Sequence, residues 1–407
     1  MTTENDLARC ARSNNNTDSS ENEFYGTVCE PYLETERDRL GPVIDSFARK
    51  GKNVSCAKQQ FTEAKWYIKA HMFSRALDTF KELERDLNSE AAQNKPLLQD
   101  DVGSYGACFH EWFFKVDASL DTIWRFTHNK QPLPVYPKFL DEVDSPEKLK
   151  KMFGYYLNPS NGLEPRANAK ALNSLVTGLV PLLYRNMPVS YKWHPELEKT
   201  MKGIIDDWQD KNTGLWGVKE KKGDQEIFFS NFSITFHIVN LRQGDVNHLP
   251  QIADTLLKEK SRDHAFLDWC YEDDRFSHHH AYDIVTILRY AWPKLSPEVQ
   301  KKTQQEIKSM LAYSLDRIMQ EKYDFDDANG DEINESVAYH VFFLEATGFF
   351  ESNLWWTDTK DPQMPRPVDV AKKIMAKIDN LNTKSDLELS NAAKILLNFL
   401  RDATVSK

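Results

Sequence analysis

A helix, an acidic and aromatic loop, and a second helix recur along this chain, and that recurrence limits its possible folds more than any other feature. In the clearest copy, Leu197, Met201, Ile204, Ile205 and Trp208 repeat at three- and four-residue steps and so share one helical face. The polar turn Asp210-Lys211-Asn212-Thr213-Gly214 ends that face. After the charged loop from Lys219 to Asp224, the residues Phe228, Phe232, Phe236, Ile238 and Leu241 predict a second helix with a core-facing side. A similar loop around Asp268-Trp269-Cys270-Tyr271-Glu272-Asp273-Asp274-Arg275-Phe276 precedes a helix from Ala281 to Trp292. Another around Tyr323-Asp324-Phe325-Asp326-Asp327 precedes a helix from Ser336 to Gly348. The copies lie roughly fifty to sixty residues apart, the size of a helical hairpin with its loops. Such hairpins bury their faces only against neighbours, and aromatic loops recurring at one end favour closure into a ring.

The rest of the chain fits an all-α class. Residues 1–25 are rich in Asn, Ser, Thr and Asp and predict a disordered tail, leaving 26–407 as a single helical domain. Helical patterns run from Leu33 to Phe47, from Phe61 to Leu87, from Ser104 to His128 and from Ala167 to Tyr184. The Pro-rich stretch from Gln131 to Pro137 ends the third of these, and two last helices, at about 368–380 and 386–402, follow Pro362 to Pro367. No stretch alternates convincingly as a strand. With 10 Trp and 23 Phe, the chain can line an aromatic core or chamber, and only 15 Gly argue against a loop-rich fold.

The formal net charge of -10, with no single basic stripe, excludes nucleic acid and anionic membrane as expected partners. Five Cys, at 10, 29, 56, 108 and 270, lack CxxC spacing and read as reduced thiols in a cytoplasmic protein. Apolar windows fall far short of a membrane span. A Walker loop, a GxSxG elbow and a dinucleotide fingerprint are all missing, so no nucleotide cofactor is expected.

The stretch from Gln209 to Trp216 resembles the Gln-Trp repeat motif of squalene cyclases and related prenyltransferase-type α/α toroids, in which Gln, Gly and Trp tie one helix end to the next helix start. Here four residues separate Gln209 from Gly214, where that family has three. The resemblance covers roughly residues 150–350 and implies an α/α toroid acting on a small hydrophobic or prenyl-diphosphate substrate. Asp324-Phe325-Asp326-Asp327 is similar to the DxDD acid motif of class II terpene cyclases, which implies Asp326 as proton donor with Asp324 and Asp327 in support. An exposed acidic turn, or a weak Ca²⁺-like loop from Asp324, Asp326, Asn329 and Asp331, fits the same residues. Asp206-Asp207-Trp208-Gln209-Asp210 is similar to the DDxxD motif of class I terpene synthases, implying Mg²⁺ on Asp206, Asp207 and Asp210. Asp273 and Asp274 begin like that family's second metal motif, although Ala281 stands where its Glu belongs.

Ser277-His278-His279-His280 adds a histidine run, with Asp283 at i+4 from His279. Successive side chains on a helix diverge, so one imidazole, His279, is the candidate acid or base near neutral pH. With it, Trp216, Phe236, His237, Trp269, Phe276, Phe325 and His340 are the candidate chamber residues. The expected function is an isoprenoid cyclase or prenyl-transfer enzyme. The alternatives are a carbohydrate-active toroid using paired carboxylates and a helical-repeat binding protein without catalysis.

Overall fold

The computed structural model describes residues 10, 25–89, 100–128, 133–184, 191–222, 225–259, 277–323, 330–357, 363–381 and 386–405. The all-α expectation holds in its coarse form, because helices carry most of the described chain. They are α1 (Glu30–Arg49), α2 (Ser55–Lys69), α3 (Phe73–Leu87), α4 (Trp112–His128), α5 (Pro146–Leu157), α6 (Pro165–Tyr184), α7 (Leu197–Trp208) and α8 (Phe232–Leu241). Then come α9 (Leu249–Glu259), α10 (His278–Ala291), α11 (Pro297–Met319), α12 (Gly330–Ala346), α13 (Pro367–Asp379) and α14 (Leu387–Val405). No helix among the described residues is long and apolar enough to cross a membrane.

The chain gathers into two compact units: Met1–Gln209 with Trp216–Leu241, and Asp210–Leu215 with Arg242–Lys407. In the first, α6 is the central element, packed by α2, α4, α5, α7 and α8. Its Ala171, Leu172, Leu175, Val176, Leu179 and Val180 are fully buried, so the helix is apolar around most of its circumference, as a central helix must be. Trp66 of α2 donates its indole N–H to the Ala167 carbonyl at 3.2 Å and meets Phe113 edge-on at 5.1 Å. In the second unit, α12 lies between α10 and α14, while α13 packs on α11 and α14.

The sequence pattern is corrected at three places. The charged loop after Trp216 is an antiparallel hairpin, β1 (Gly217–Lys222) and β2 (Gln225–Ser230), and the helix starts at Phe232 rather than Phe228. Asn231 starts that helix by accepting the Ile234 N–H on its side-chain oxygen at 2.9 Å. The pattern from Ser104 is not helical until Trp112, because residues 100–111 form a loop held to α2 by side chains. The cysteines are not all free thiols: Cys10 pairs with Cys29 and Cys56 with Cys108, which removes the premise for a reducing, cytoplasmic setting. Cys10, lying within the expected tail, is fully buried.

Candidate functional site

The three consecutive histidines open α10, and the helical twist sends them to different surroundings. His278 points into the core, where it is fully buried, bonds Ser314 Oγ through Nε2 at 3.0 Å and stacks on His340 at 3.3 Å between centroids. His340 is also fully buried, and its Nδ1 donates to the Ser336 carbonyl at 2.8 Å. This candidate chamber residue is therefore part of the packed α10–α12 seam.

His279 lies on the outer side of the same seam with 41% of its side chain exposed. One turn later on α10 comes Asp283, and Glu335 and Tyr339 hold i and i+4 positions on α12. The Glu335 Oε1 lies 3.1 Å from His279 Nδ1, and the Asp283 Oδ2 lies 4.0 Å from Nε2. The imidazole rests flat on the Tyr339 ring, with centroids 3.9 Å apart and planes 12° apart. Tyr339 in turn donates its hydroxyl to Glu388 Oε1, in the first turn of α14, at 3.4 Å. Tyr282 and Phe342 flank Tyr339 at 5.8 and 5.5 Å.

Those neighbours fix the protonation chemistry. Burial alone would lower the His279 pKa, but the Glu335 bond and the Asp283, Glu335 and Glu388 charges raise it overall. The same bond to His279 holds Glu335 below the ordinary carboxylate range, although burial opposes it. Asp283 is only 3% exposed, and burial pushes its carboxyl up to about 8 even though His279 pulls the other way. Among the described residues its Oδ1 finds no hydrogen-bond partner. Burial also raises Glu388, with Glu335 adding to the effect. The cluster thus sets a carboxyl held low and a carboxyl held high on either side of a half-exposed imidazole. Proton donors and acceptors in acid–base catalysis are tuned apart in this manner.

The other candidates lie elsewhere or outside the described residues. Asp273, Asp274, Trp269, Phe276, Asp324, Phe325, Asp326 and Asp327 belong to the latter group. Asp206 is half-buried and Asp207 exposed near the end of α7. The Oδ1 of Asp210 accepts the Asn212 and Thr213 N–H groups at 3.0 and 2.7 Å and the Thr213 hydroxyl at 2.8 Å. That carboxylate is a turn anchor, and among the described residues no three His, Cys, Asp or Glu side chains are grouped to hold a metal.

Trp216 is fully buried, donating its indole N–H to the Ile205 carbonyl at 2.8 Å and its backbone N–H to Thr235 Oγ1 at 3.1 Å. It ties the end of α7 to the start of α8. Phe236 is buried and His237 half-buried on α8. Glu335, Tyr339 and Glu388 gave no motif to find; only their i, i+4 spacing, or their place in a first helical turn, preceded the structure. Compared with family models, with curated proteins and with solved structures, the chain matches none of them.

Proposed function

We propose that this chain is an enzyme working by proton transfer, with His279 giving and taking the proton, on an apolar substrate of the isoprenoid class. The observation that carries the reading is one half-exposed imidazole held by Glu335 at Nδ1 and facing buried Asp283 at Nε2. A general acid works best when its pKa lies near the operating pH, and the carboxylates around His279 move it in that direction. Asp283, whose carboxyl burial pushes up to about 8, stands behind it as a second proton source. Tyr282, Tyr339 and Phe342 offer ring faces to a cationic intermediate, whose charge is attracted to aromatic π systems.

The isoprenoid substrate and the closure of the helical hairpins into a toroid rest on the resemblance around Gln209 to Trp216 and on the Asp324 to Asp327 motif. In this reading Asp326 starts the reaction by protonation and His279 manages the later proton. A second reading has one specific support: a raised Asp283 beside a lowered Glu335 is the split that glycoside hydrolysis asks of two carboxyl groups.

Purified protein is incubated with prenyl diphosphates of several lengths, with and without Mg²⁺, and separately with a panel of aryl glycosides, and products are read by mass spectrometry. The expected outcome is conversion of a prenyl diphosphate, reduced at least about 100-fold by His279→Gln. Conversion of a glycoside instead selects the second reading. Undiminished turnover in the His279→Gln protein, or inertness toward both panels, overturns the proton-transfer assignment.

A further inference from the structure

The first unit carries an independent device on α2. Cys56, Gln59, Glu63 and Tyr67 follow one another at helical spacing along a single stripe, and each engages the loop of residues 100–111. Cys56 is joined to Cys108. The Gln59 amide donates to the Tyr105 carbonyl at 3.1 Å and accepts the Cys108 N–H at 3.2 Å. Glu63, fully buried, accepts the His110 N–H at 2.8 Å and the Glu111 N–H at 2.7 Å, and His110 Nδ1 lies 2.8 Å from its other oxygen. Tyr67 donates its hydroxyl to Glu111 at 3.0 Å, an acid that also takes a 2.6 Å bond from Arg75.

Every anchor but one is a hydrogen bond or ion pair. The exception is covalent, closes a sequence separation of 52 residues, and joins two half-buried cysteines that a small thiol can approach. Breaking it leaves the loop with no covalent tie to α2, seated by these polar contacts and by buried Phe109 stacked on Phe114 at 5.0 Å. The loop also holds the backbone just ahead of α4, so its release frays that helix start.

We propose that Cys56–Cys108 is a redox latch that decides whether the 100–111 loop stays closed on α2. In the opening step a dithiol reductant attacks one sulfur as its thiolate, forming a mixed disulfide and releasing the other cysteine as a thiolate that takes up a proton. The reductant's second thiolate then displaces the remaining cysteine, leaving two protein thiols and an oxidised reductant, a two-electron exchange in balance. Closing runs the same steps backward with a disulfide oxidant. The chain is accordingly built to work where such an oxidant is present, and the latch reports its loss.

The test uses the full chain, oxidised and after dithiothreitol, with peptide mapping of alkylated cysteines and hydrogen exchange read by mass spectrometry. Without reductant, Cys56 and Cys108 are expected to resist iodoacetamide and to be recovered in one linked peptide. After reduction, amides between Tyr105 and Glu111 are expected to exchange at least about tenfold faster, while those of α10 and α12 hold. Cys108→Ser, with Cys56→Ala as a second route should it fold poorly, is expected to reproduce the fast exchange without reductant. Free alkylation of both cysteines in the untreated chain overturns the proposal. So does unchanged exchange in the loop after verified reduction, and so does exchange that quickens equally throughout the chain.

Discussion

Asp283 shows how one side chain couples stability to pH. Its carboxyl is pushed up to about 8 in the folded chain by burial, against an ordinary value of about 3.9 when unfolded. The stability associated with this raised value is fully present below the unfolded pKa and is lost as pH rises through the folded one. His279, raised as well, acts with the same sign, so the second unit is expected to weaken steadily from about pH 4 to about pH 8. Asp283→Asn keeps the shape and removes the titration, and urea unfolding across that range is expected to show a visibly flatter profile. An unchanged slope would show that Asp283 titrates normally. Glu63 is fully buried with its partners all in place. Glu63→Gln is expected to lower stability by about 3 kcal/mol in urea titration, because the His110 imidazole and two backbone amides lose a carboxyl acceptor. His279 and its i+4 partner Asp283 could be read directly from sequence, since both lie on one helix. Glu335 and Glu388 could not, because a packed neighbour 50 or more residues away leaves no local trace.

At the scale of elements, the turn between α7 and β1 explains why the Gln-Trp-like stretch looks as it does. Asp210 accepts three hydrogen bonds, Gly214 adopts φ +75, and a Cβ there would stand 2.9 Å from the His248 carbonyl oxygen. Thr255 of α9 then donates its hydroxyl to the Thr213 carbonyl at 2.8 Å. Asp210→Ala is expected to lower the melting midpoint by several degrees, equivalent to about 1–2 kcal/mol, by removing the local acceptor that shapes the turn. An unaltered midpoint would mean that backbone bonds alone hold it. The helices were legible because apolar side chains recur with their period, and α1, α13 and α14 match the pattern within a few residues. The β-hairpin was missed because Phe228, Phe232 and Phe236 also satisfy helical spacing, whereas the informative signal was the Gly223-Asp224 pair between two six-residue runs. Residues 104–111 read as helix because Tyr105 and Phe109 continue the α4 stripe, yet long-range anchoring to α2 overrides that preference.

For the molecule as a whole, composition pointed correctly to helices, while the cysteine spacing misdirected, because disulfide partners are chosen by folded proximity and not by distance along the chain. The division into units is also hidden in the sequence, for the chain leaves the first unit at Gln209, visits the second for Asp210–Leu215, and returns before crossing finally at Arg242. A single cleavage between Leu241 and Arg242 is therefore expected to leave the two pieces co-eluting on size exclusion, because the N-terminal piece retains the turn that binds Thr255. Separation of the pieces without denaturant would show that this turn contributes little. The interleaved path also bears on design: no one crossover point can transplant either unit into another gene intact. An engineer wishing to swap one unit must therefore splice at three places.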